Sequence, residues 1–358
     1  MKFAKNIATH TLVPHGGLYS IENPYPSIVD FSSNVNPLGY PASVKKLLRS
    51  WMEKIPVYPD HTSKKLKKQL STHLGISASN LVVGNGATEV IYNFCRAIID
   101  KNTRVLIPIP TFGEYEAAVR LCAGKPQFFK TMNLEEDLTK FVKKIPANGL
   151  VFICNPNNPT GALTSKKSII QIVKYAKIKN AMVFVDECFM ELTQTPQQST
   201  VDQIQKFDNL FVLRSLTKSF GLAGLRVGYG VGNKSLVSVL DKIKIPWNVS
   251  GLAQEAAVIA LSEKNFLVKT RKLIKTESVF LKNYISKIDG FSCFETTTNF
   301  ILIRTKINSK RLQKKLLQKK ILIRDCSTFR GLTQNYVRIA VKTRKENLKL
   351  VNALEKLA

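Results

Sequence analysis

The chain has 358 residues, 44% of them apolar, and a formal net charge of +29. This length suffices for one large hydrophobic core or for a large domain with a smaller one, and the sequence contains no run of 18 apolar residues that would predict a membrane span. The lysines are spread along stretches such as KKLKKQL, in which apolar residues recur at helical spacing. This pattern favours solvated helix faces over a nucleic-acid site, although a basic surface would attract anionic substrates.

The cysteines and the first residues of the sequence indicate the cellular compartment of the protein. The cysteines form no CxxC pair, and several lie in apolar, strand-like runs, which favours reduced thiols over disulfides or zinc ligands. They are Cys95, Cys122, Cys154, Cys188, Cys293 and Cys326. The first residues, MKFAKNIATHTLVPHGG, lack the continuous apolar segment of a secretory signal. We expect a cytoplasmic protein without a metal site.

In chain order, the pattern predicts an arm, a large α/β domain and a smaller α+β domain. Residues 1–40 are rich in Pro, Asn and Ser and predict an extended arm. From residue 41 to 250, short β-branched apolar runs alternate with helical patterns, which is typical of a mostly parallel sheet; the runs are NLVVGNG, RVLIPIP, PQFF, GLVFIC, AMVFVDE and NLFVLRSL. Residues 251–358 begin with two helical stretches and continue with strand-like runs beside helices, which predicts linking helices and a small C-terminal domain.

Polar residues follow the ends of several predicted strands, where the sites of open α/β sheets lie. In VGNGATE, Gly86, Ala87 and Thr88 open a helix whose free N–H groups suit a phosphate, although a tight turn with a helix cap explains the motif equally well. In CNPNNPTG, two Asn-Pro steps favour a turn that exposes Asn155 and Asn157. Asn155 is then a candidate donor to a phenolate oxygen.

Two further strand ends carry a carboxylate and a lysine. Asp186 follows Asn155 by 31 residues and Lys218 follows Asp186 by 32, with Ser215 and Arg226 on either side of the lysine. A lysine that bonds to an aldehyde, a carboxylate that keeps a pyridine nitrogen protonated, and a hydroxyl with an arginine for a phosphate are the parts that hold pyridoxal phosphate. Lys218 alone predicts only a surface lysine. The set predicts this cofactor, because a ligand between the buried charges offsets the cost of burying them.

Over nearly its whole length, the sequence resembles the class I/II aminotransferase superfamily of fold-type I pyridoxal-phosphate enzymes. Within it, the chain is most similar to the threonine-phosphate decarboxylases of cobalamin synthesis, relatives of the histidinol-phosphate aminotransferases. The stretch RSLTKSFGLAGLRVGY is specific for the superfamily, and HGG, DFSSNVNPLG and RDCSTFRGL are specific for the decarboxylase branch. The other matching stretches are YPD, GNGATE, PTFGEY, NPNNPTG, VDECF, PWNVSGLAQ and VRIAV. The resemblance implies a large domain with a mostly parallel, seven-stranded sheet, a smaller α+β domain, and a homodimer with shared active sites.

The resemblance also implies a role for each site residue. Lys218 and Asp186 would be catalytic: Lys218 would bond to the cofactor and Asp186 would pair with its ring nitrogen. The implied cofactor ligands are Gly86, Ala87, Thr88, Phe112, Asn155, Asp186, Ser215, Lys218 and Arg226, together with Tyr58 from the partner subunit. The implied substrate ligands are His15, Asn34, Asn157, Arg324 and Arg338.

Some of these residues have simpler explanations. Phe112 also fits a hydrophobic core, and His15 also fits a turn. Arg324 and Arg338 follow apolar strands, where an arginine commonly forms an ion pair. One position departs from the aminotransferases, because Phe189 stands where they commonly place a tyrosine that hydrogen-bonds the ring oxygen; the decarboxylase branch tends to carry phenylalanine there.

We expect a lyase that decarboxylates L-threonine O-3-phosphate to (R)-1-amino-2-propanol phosphate. Three alternatives stay open: transamination of histidinol phosphate or a similar substrate, decarboxylation of O-phosphoserine, and a basic nucleic-acid-binding protein on a disused enzyme scaffold. A modest rotation of the substrate separates decarboxylation from transamination. One methyl group separates phosphothreonine from phosphoserine by only about 1–3 kcal/mol.

Overall fold

The computed structural model describes residues 4–22 and 27–357, so the parts of the predicted arm at residues 1–3 and 23–26, and residue 358 of the predicted C-terminal domain, lie outside the described residues. The strands of the described chain are β1 (Val29–Asp30), β2 (Leu81–Asn85), β3 (Arg104–Ile109), β4 (Lys125–Lys130), β5 (Leu150–Cys154), β6 (Met182–Asp186), β7 (Leu210–Ser215), β8 (Val227–Val231), β9 (Phe291–Cys293), β10 (Phe300–Thr305), β11 (Ile321–Leu322), β12 (Arg324–Asp325) and β13 (Tyr336–Ala340). Its α-helices are α1 (Lys5–Ala8), α2 (Ala42–Ser50), α3 (Lys64–Leu74), α4 (Gly86–Ile98), α5 (Glu114–Leu121), α6 (Leu138–Val142), α7 (Lys166–Ile178), α8 (Leu216–Ser219), α9 (Lys234–Ile243), α10 (Gly251–Ser262), α11 (Lys264–Ile285), α12 (Ser309–Gln318) and α13 (Arg344–Glu355). None of the helices in this part of the chain combines the length and apolarity that a membrane crossing requires.

The large sheet contains seven strands of the described chain in the order β2-β8-β7-β6-β5-β3-β4. Strands β7, β6, β5, β3 and β4 run parallel to one another, whereas β8 is antiparallel to both of its neighbours. The three central strands β5, β6 and β7 are buried along almost their whole length, which explains their continuous apolar runs. The predicted α/β fold with a mostly parallel, seven-stranded sheet is confirmed.

The C-terminal part forms a second, antiparallel sheet in the order β12-β13-β10-β9. Its hydrophobic core includes Ile301, Leu316 and Leu350 and is separate from the core of the large sheet. Helix α10 contributes Ala253 and Ala256 to the core of the large sheet. The large core therefore extends past residue 250, and the predicted boundary at that position stays a prediction. All six cysteines are free thiols, four of them buried.

The N-terminal segment is tied to the C-terminal sheet. Strand β1 pairs in parallel with β11, so that Val29 lies opposite Ile321. The next residue after β1, Phe31, is fully buried in the second hydrophobic core, and its backbone N–H donates to the Leu322 carbonyl at 2.7 Å. This pairing carries residues 32–34 to the junction between the two sheets, where the site lies.

Candidate active site

A cavity of about 1220 Å³ lies at the carboxyl ends of the parallel strands, the usual place for a site in such a sheet. Cys154, Asp186 and Ser215, the last residues of β5, β6 and β7, form part of its wall. Arg324 and Arg338 line it from the small sheet. The predicted site residues that line this cavity are His15, Asn34, Ala87, Thr88, Phe112, Asp186, Ser215, Lys218, Arg226, Arg324 and Arg338.

Lys218 lies in the short helix α8, directly after the buried strand β7. Its Nζ is 5.9 Å from the centre of the Phe189 ring. Burial lowers the pKa of Lys218 to about 8, and the positive charge of Arg338 contributes to this lowering. A larger fraction of the amine is therefore neutral near neutral pH than for an ordinary lysine. The neutral form is the one that attacks an aldehyde and accepts a proton.

Asp186 is held by two hydrogen bonds in the floor of the cavity. The Tyr115 hydroxyl donates to Oδ2 at 2.6 Å, and the backbone N–H of Cys188 donates to Oδ1 at 2.9 Å. Burial raises the pKa of Asp186, while the bonds from Cys188 and Tyr115 and the charge of Lys218 oppose that rise. A cation bound next to this carboxylate, such as a protonated ring nitrogen, would stabilise its ionised form.

Tyr115 was not among the predicted site residues. It is fully buried, and its ring stacks on Phe152 with 5.0 Å between the ring centres. The signal available in the sequence was only its position three residues after Phe112, because Phe112 lies before the start of α5 and helical spacing does not apply to the pair. The two rings do meet edge to face at 5.6 Å.

The start of α4 and Arg226 form a second polar end of the cavity. Asn85, the residue before α4, makes no side-chain cap, so the first N–H groups of the helix are open to an anion near Ala87 and Thr88. Gly86 does not line the cavity, but a Cβ at this position would lie 2.4 Å from Nη2 of Arg226. Gly86 therefore permits the close approach of the arginine. Arg226 itself adopts a left-handed backbone with φ 58°, a strained conformation of the kind that collects at functional sites.

Thr217 and Asn34 carry buried oxygen atoms without a partner in the described chain. Thr217 Oγ1 and Asn34 Oδ1 form no hydrogen bond there, and both residues line the cavity. A buried polar atom left unsatisfied costs about 1–3 kcal/mol, so both atoms favour a polar ligand. Thr217 was missed from the sequence, although a hydroxyl next to Lys218 was visible in SLTK. These atoms, the open start of α4, and the Asp186 and Lys218 pair together fit pyridoxal 5'-phosphate.

The structure does not bring Asn155 into the cavity. Its amide is fully buried, donates to the Thr164 carbonyl at 2.9 Å and accepts from the Thr164 N–H at 2.8 Å. Asn157 is likewise turned away, because its amide donates to the Pro110 carbonyl and accepts from Thr111. Contrary to the prediction, neither Asn155 nor Asn157 therefore faces the cavity as a ligand. In this loop, Asn158 is the asparagine that lines the cavity. The repeated Asn-Pro steps of the sequence did not show which of the three asparagines would do so.

Arg324 and Arg338 lie opposite each other on the antiparallel strands β12 and β13. Arg338 is only 6% exposed; it donates to the Asn158 side-chain oxygen and, at 2.7 Å, to the Ser32 carbonyl, while its Nε has no partner in the described chain. Arg324 donates to the Pro14 carbonyl at 2.6 Å. Burial lowers the pKa of Arg338 to about 10. Within the described residues neither guanidinium forms an ion pair, so the simpler explanation as ion-pair partners fails.

Phe112 and His15 border the same cavity. Their ring centres are 6.1 Å apart, and Phe112 is only partly buried where it lines the cavity. His15 lies with Nε2 2.8 Å from a Glu114 carboxylate oxygen. A role in a turn alone does not explain why the His15 ring contacts this buried carboxylate.

Tyr58 lies outside the cavity and is 79% exposed. Its ring contacts Trp247 at 5.2 Å between centres. We call the exposed apolar residues of these two segments, which the Tyr58–Trp247 contact joins, the Tyr58 patch: Met52, Ile55, Val57, Tyr58, Ile245 and Trp247. Exposed apolar patches of this kind commonly mark protein interfaces, so the predicted role of Tyr58 in a partner's site stays a prediction.

The family known as aminotransferase class I and II matches residues 26–354, nearly the whole chain. The chain belongs to this family. Pyridoxal 5'-phosphate is therefore its cofactor, as the sequence predicted, and the chain is an enzyme of the pyridoxal-phosphate-dependent class I/II family.

Relatives within the class I/II family carry two different names. The chain is 37% identical to "Putative threonine-phosphate decarboxylase" of Caldanaerobacter subterraneus subsp. tengcongensis over 91% of this chain and 89% of that protein. It is 34% identical to a histidinol-phosphate aminotransferase of the same organism over 95% of both chains. The crystal structure of L-threonine-O-3-phosphate decarboxylase from Porphyromonas gingivalis is similar with a TM-score of 0.83 and 28% identity, covering 92% of this chain and 99% of that one.

Proposed function

We propose that this class I/II family enzyme decarboxylates L-threonine O-3-phosphate to (R)-1-amino-2-propanol phosphate. The observation that carries the proposal is the pair of unpaired guanidiniums of Arg324 and Arg338. A buried cation without a carboxylate is costly, and a substrate anion would offset that cost. O-Phosphothreonine offers two anionic groups, a carboxylate and a phosphate. The 37% identity to the decarboxylase relative supports the same substrate.

Bound pyridoxal phosphate supplies a ring that takes up the electron pair left when a bond to the substrate Cα breaks. Lys218 would hold the cofactor before the substrate arrives, and Asp186 would stabilise the positive charge on the ring nitrogen. Arg324 and Arg338 would bind the substrate anions and so orient the bonds at Cα. With the bond to the carboxylate oriented for cleavage, CO2 would leave and the Lys218 ammonium would deliver a proton to Cα.

Transamination of histidinol phosphate is the second candidate function. It is supported by the 34% identity to a histidinol-phosphate aminotransferase. The same side chains would serve both reactions, because the neutral Lys218 amine would accept a proton from Cα if the Cα–H bond were oriented for cleavage instead. Decarboxylation of O-phosphoserine is a variant of the first proposal, since it needs the same two anion contacts.

The partner in this proposal is a second copy of the chain. The Tyr58 patch would be buried in the homodimer, and Tyr58 would reach the cofactor phosphate of the partner's site. The exposure of Tyr58 and its distance from its own cavity support this arrangement.

A paired assay tests the proposed reaction. The enzyme loaded with cofactor is given O-phospho-L-threonine alone, or histidinol phosphate with 2-oxoglutarate, and CO2 and keto-acid products are measured separately. We expect CO2 release from O-phosphothreonine without 2-oxoglutarate. Turnover of histidinol phosphate that requires 2-oxoglutarate, with no CO2 from O-phosphothreonine, would reject the decarboxylase proposal in favour of the second candidate.

Lys218→Ala is the matching control for this assay. Because the variant has no amine to bond to the cofactor, we expect it to lose the visible absorption of the bound cofactor and to show no turnover in either reaction. Normal turnover by this variant would remove Lys218 from the mechanism. Lys179→Ala, which removes a lysine outside the cavity, is expected to keep both signals.

A further inference from the structure

Glu114 is a buried carboxylate that contacts His15, a lining residue of a cavity whose charged groups are mainly cations. It is the first residue of α5 and is 6% exposed. One carboxylate oxygen lies 2.8 Å from Nε2 of His15, and the other accepts a hydrogen bond from the Tyr92 hydroxyl at 2.5 Å. The proposed reaction uses neither Glu114 nor Tyr92.

The negative charge of Glu114 would by itself repel an anion bound in the cavity. A favourable role for Glu114 must therefore act through another side chain. Burial raises the pKa of Glu114, but the bonds from His15 and Tyr92 outweigh it and lower the pKa overall. Glu114 is therefore ionised at neutral pH, and an ionised carboxylate accepts a hydrogen bond from a neighbouring imidazole. The contact uses Nε2, and within the described chain Nδ1 has no hydrogen-bond partner.

His15 belongs to the N-terminal arm, which lies across α5 near this contact. A Cβ on Gly113 would lie 2.9 Å from the Val13 side chain, so the arm packs closely against the start of α5. Arg324 fixes the neighbouring residue by donating to the Pro14 carbonyl. Glu114 thus lies where it fixes both the position and the orientation of the His15 ring at the cavity wall.

We propose that Glu114, oriented by Tyr92, is a positioning residue that contacts Nε2 of His15 and turns the Nδ1 side of the ring toward a phosphate ester in the cavity. This rests on the proposed function in one respect, that the substrate is phosphorylated. The Glu114–His15 contact selects for phosphorylated over unphosphorylated amino compounds, because a ring held this way hydrogen-bonds to the phosphate group, which only the phosphorylated compounds carry.

The test compares the affinity of the cofactor-loaded enzyme for O-phosphothreonine and for threonine, measured on rapid mixing by the change in cofactor absorbance before turnover. In Glu114→Gln, which keeps the shape of the side chain, we expect affinity for O-phosphothreonine to fall about tenfold or more, as for the loss of one charged hydrogen bond. Affinity for threonine should stay the same. His15→Gln should show the same selective loss, and adding Glu114→Gln to it should cause no further loss.

The kinetic constants separate this role from a merely structural one. Since Glu114 acts only through His15 on substrate binding, Glu114→Gln should raise KM for O-phosphothreonine and leave kcat nearly unchanged. Tyr92→Phe should show a smaller loss of the same kind, and Glu295→Gln, which alters an exposed ion pair with Lys282, should show none.

Several outcomes would overturn the inference. Equal loss of affinity for both ligands in Glu114→Gln would mean that the carboxylate only supports the fold. An unchanged affinity for O-phosphothreonine in either Glu114→Gln or His15→Gln would also reject it. A wild-type enzyme that binds threonine as tightly as O-phosphothreonine would instead reject the phosphorylated substrate itself, and the same pair of measurements on histidinol phosphate and histidinol would show whether any phosphate ester is selected.

Discussion

Single side chains decide what the cavity holds, and many of the predicted site residues line the same cavity. Asp186, Ser215 and Lys218 were found because each lies at or just after the end of a strand, and parallel strands end at one edge of a sheet. Asn158 and Tyr115 were not found, because their roles depend on which way a side chain turns within a loop or helix. Spacing along the chain carries no information on such orientations.

The bond from Tyr115 to Asp186 leads to a prediction about acid dependence. In Tyr115→Phe, Asp186 loses one of the bonds that oppose the effect of burial, so its pKa should rise further and more of it should be protonated at a given pH. Neutral Asp186 no longer stabilises a cationic ring nitrogen. We expect weaker cofactor binding, roughly tenfold lower turnover, and an acid limb of kcat/KM that moves to higher pH.

The pH profile of turnover between pH 5 and 8 checks this expectation. Tyr229→Phe is a matched control, because the buried Tyr229 hydroxyl forms no hydrogen bond in the described chain and its removal should leave the profile unchanged. An acid limb that stays in place in Tyr115→Phe would show that the hydroxyl does not tune Asp186.

Among the strands, the ones rich in β-branched residues were predicted, and β8 was not. Its sequence, VGYGV, contains two glycines, which weaken the strand pattern. In the structure, other atoms lie so close to both glycines that a side chain would not fit there. A Cβ at Gly228 would lie 2.4 Å from the backbone nitrogen of Ala87, and one at Gly230 would lie 2.1 Å from the Phe211 ring. Contacts with segments that are distant in sequence require glycine at these two positions. No local sequence pattern predicts such contacts.

The two glycines of β8 predict different effects from the same substitution. Gly228→Ala and Gly230→Ala should each lower the free energy of unfolding by about 1–3 kcal/mol through overpacking. Only Gly228→Ala should also weaken cofactor binding, because it displaces the first turn of α4. Urea unfolding and cofactor titration measure the two effects, and Gly224→Ala, whose Cβ would meet no atom within 4 Å, should change neither. Equal cofactor affinity in both β8 variants would contradict this explanation.

For the molecule as a whole, the sequence predicted the α/β class and the seven-stranded sheet because the alternation of strands and helices persists over more than two hundred residues. It predicted the homodimer only through resemblance. The Tyr58 patch is the structural feature that a second copy would cover, and its apolar residues come from two segments that are far apart in sequence.

Trp247→Asp tests the homodimer. Since Trp247 contacts Tyr58, Trp247→Asp would place a carboxylate without a partner in the buried interface, and the variant should sediment as a monomer. Ile178→Asp alters an exposed apolar residue outside the patch and should leave the assembly intact. A wild-type chain that sediments as a monomer, or a Trp247→Asp variant that stays dimeric, would rule out this interface.

Arg338 has one further consequence, for protein engineering. Its guanidinium joins the arm at Ser32, the loop at Asn158 and its own strand, three segments that are spread over most of the gene. A hybrid of two family members made by a single crossover near residue 280 would take Arg338 from one parent. The Ser32 carbonyl and the Asn158 amide that it contacts would come from the other parent. Recombination libraries built on this scaffold should therefore transfer residues 29–34, 155–161 and 336–340 as a single block.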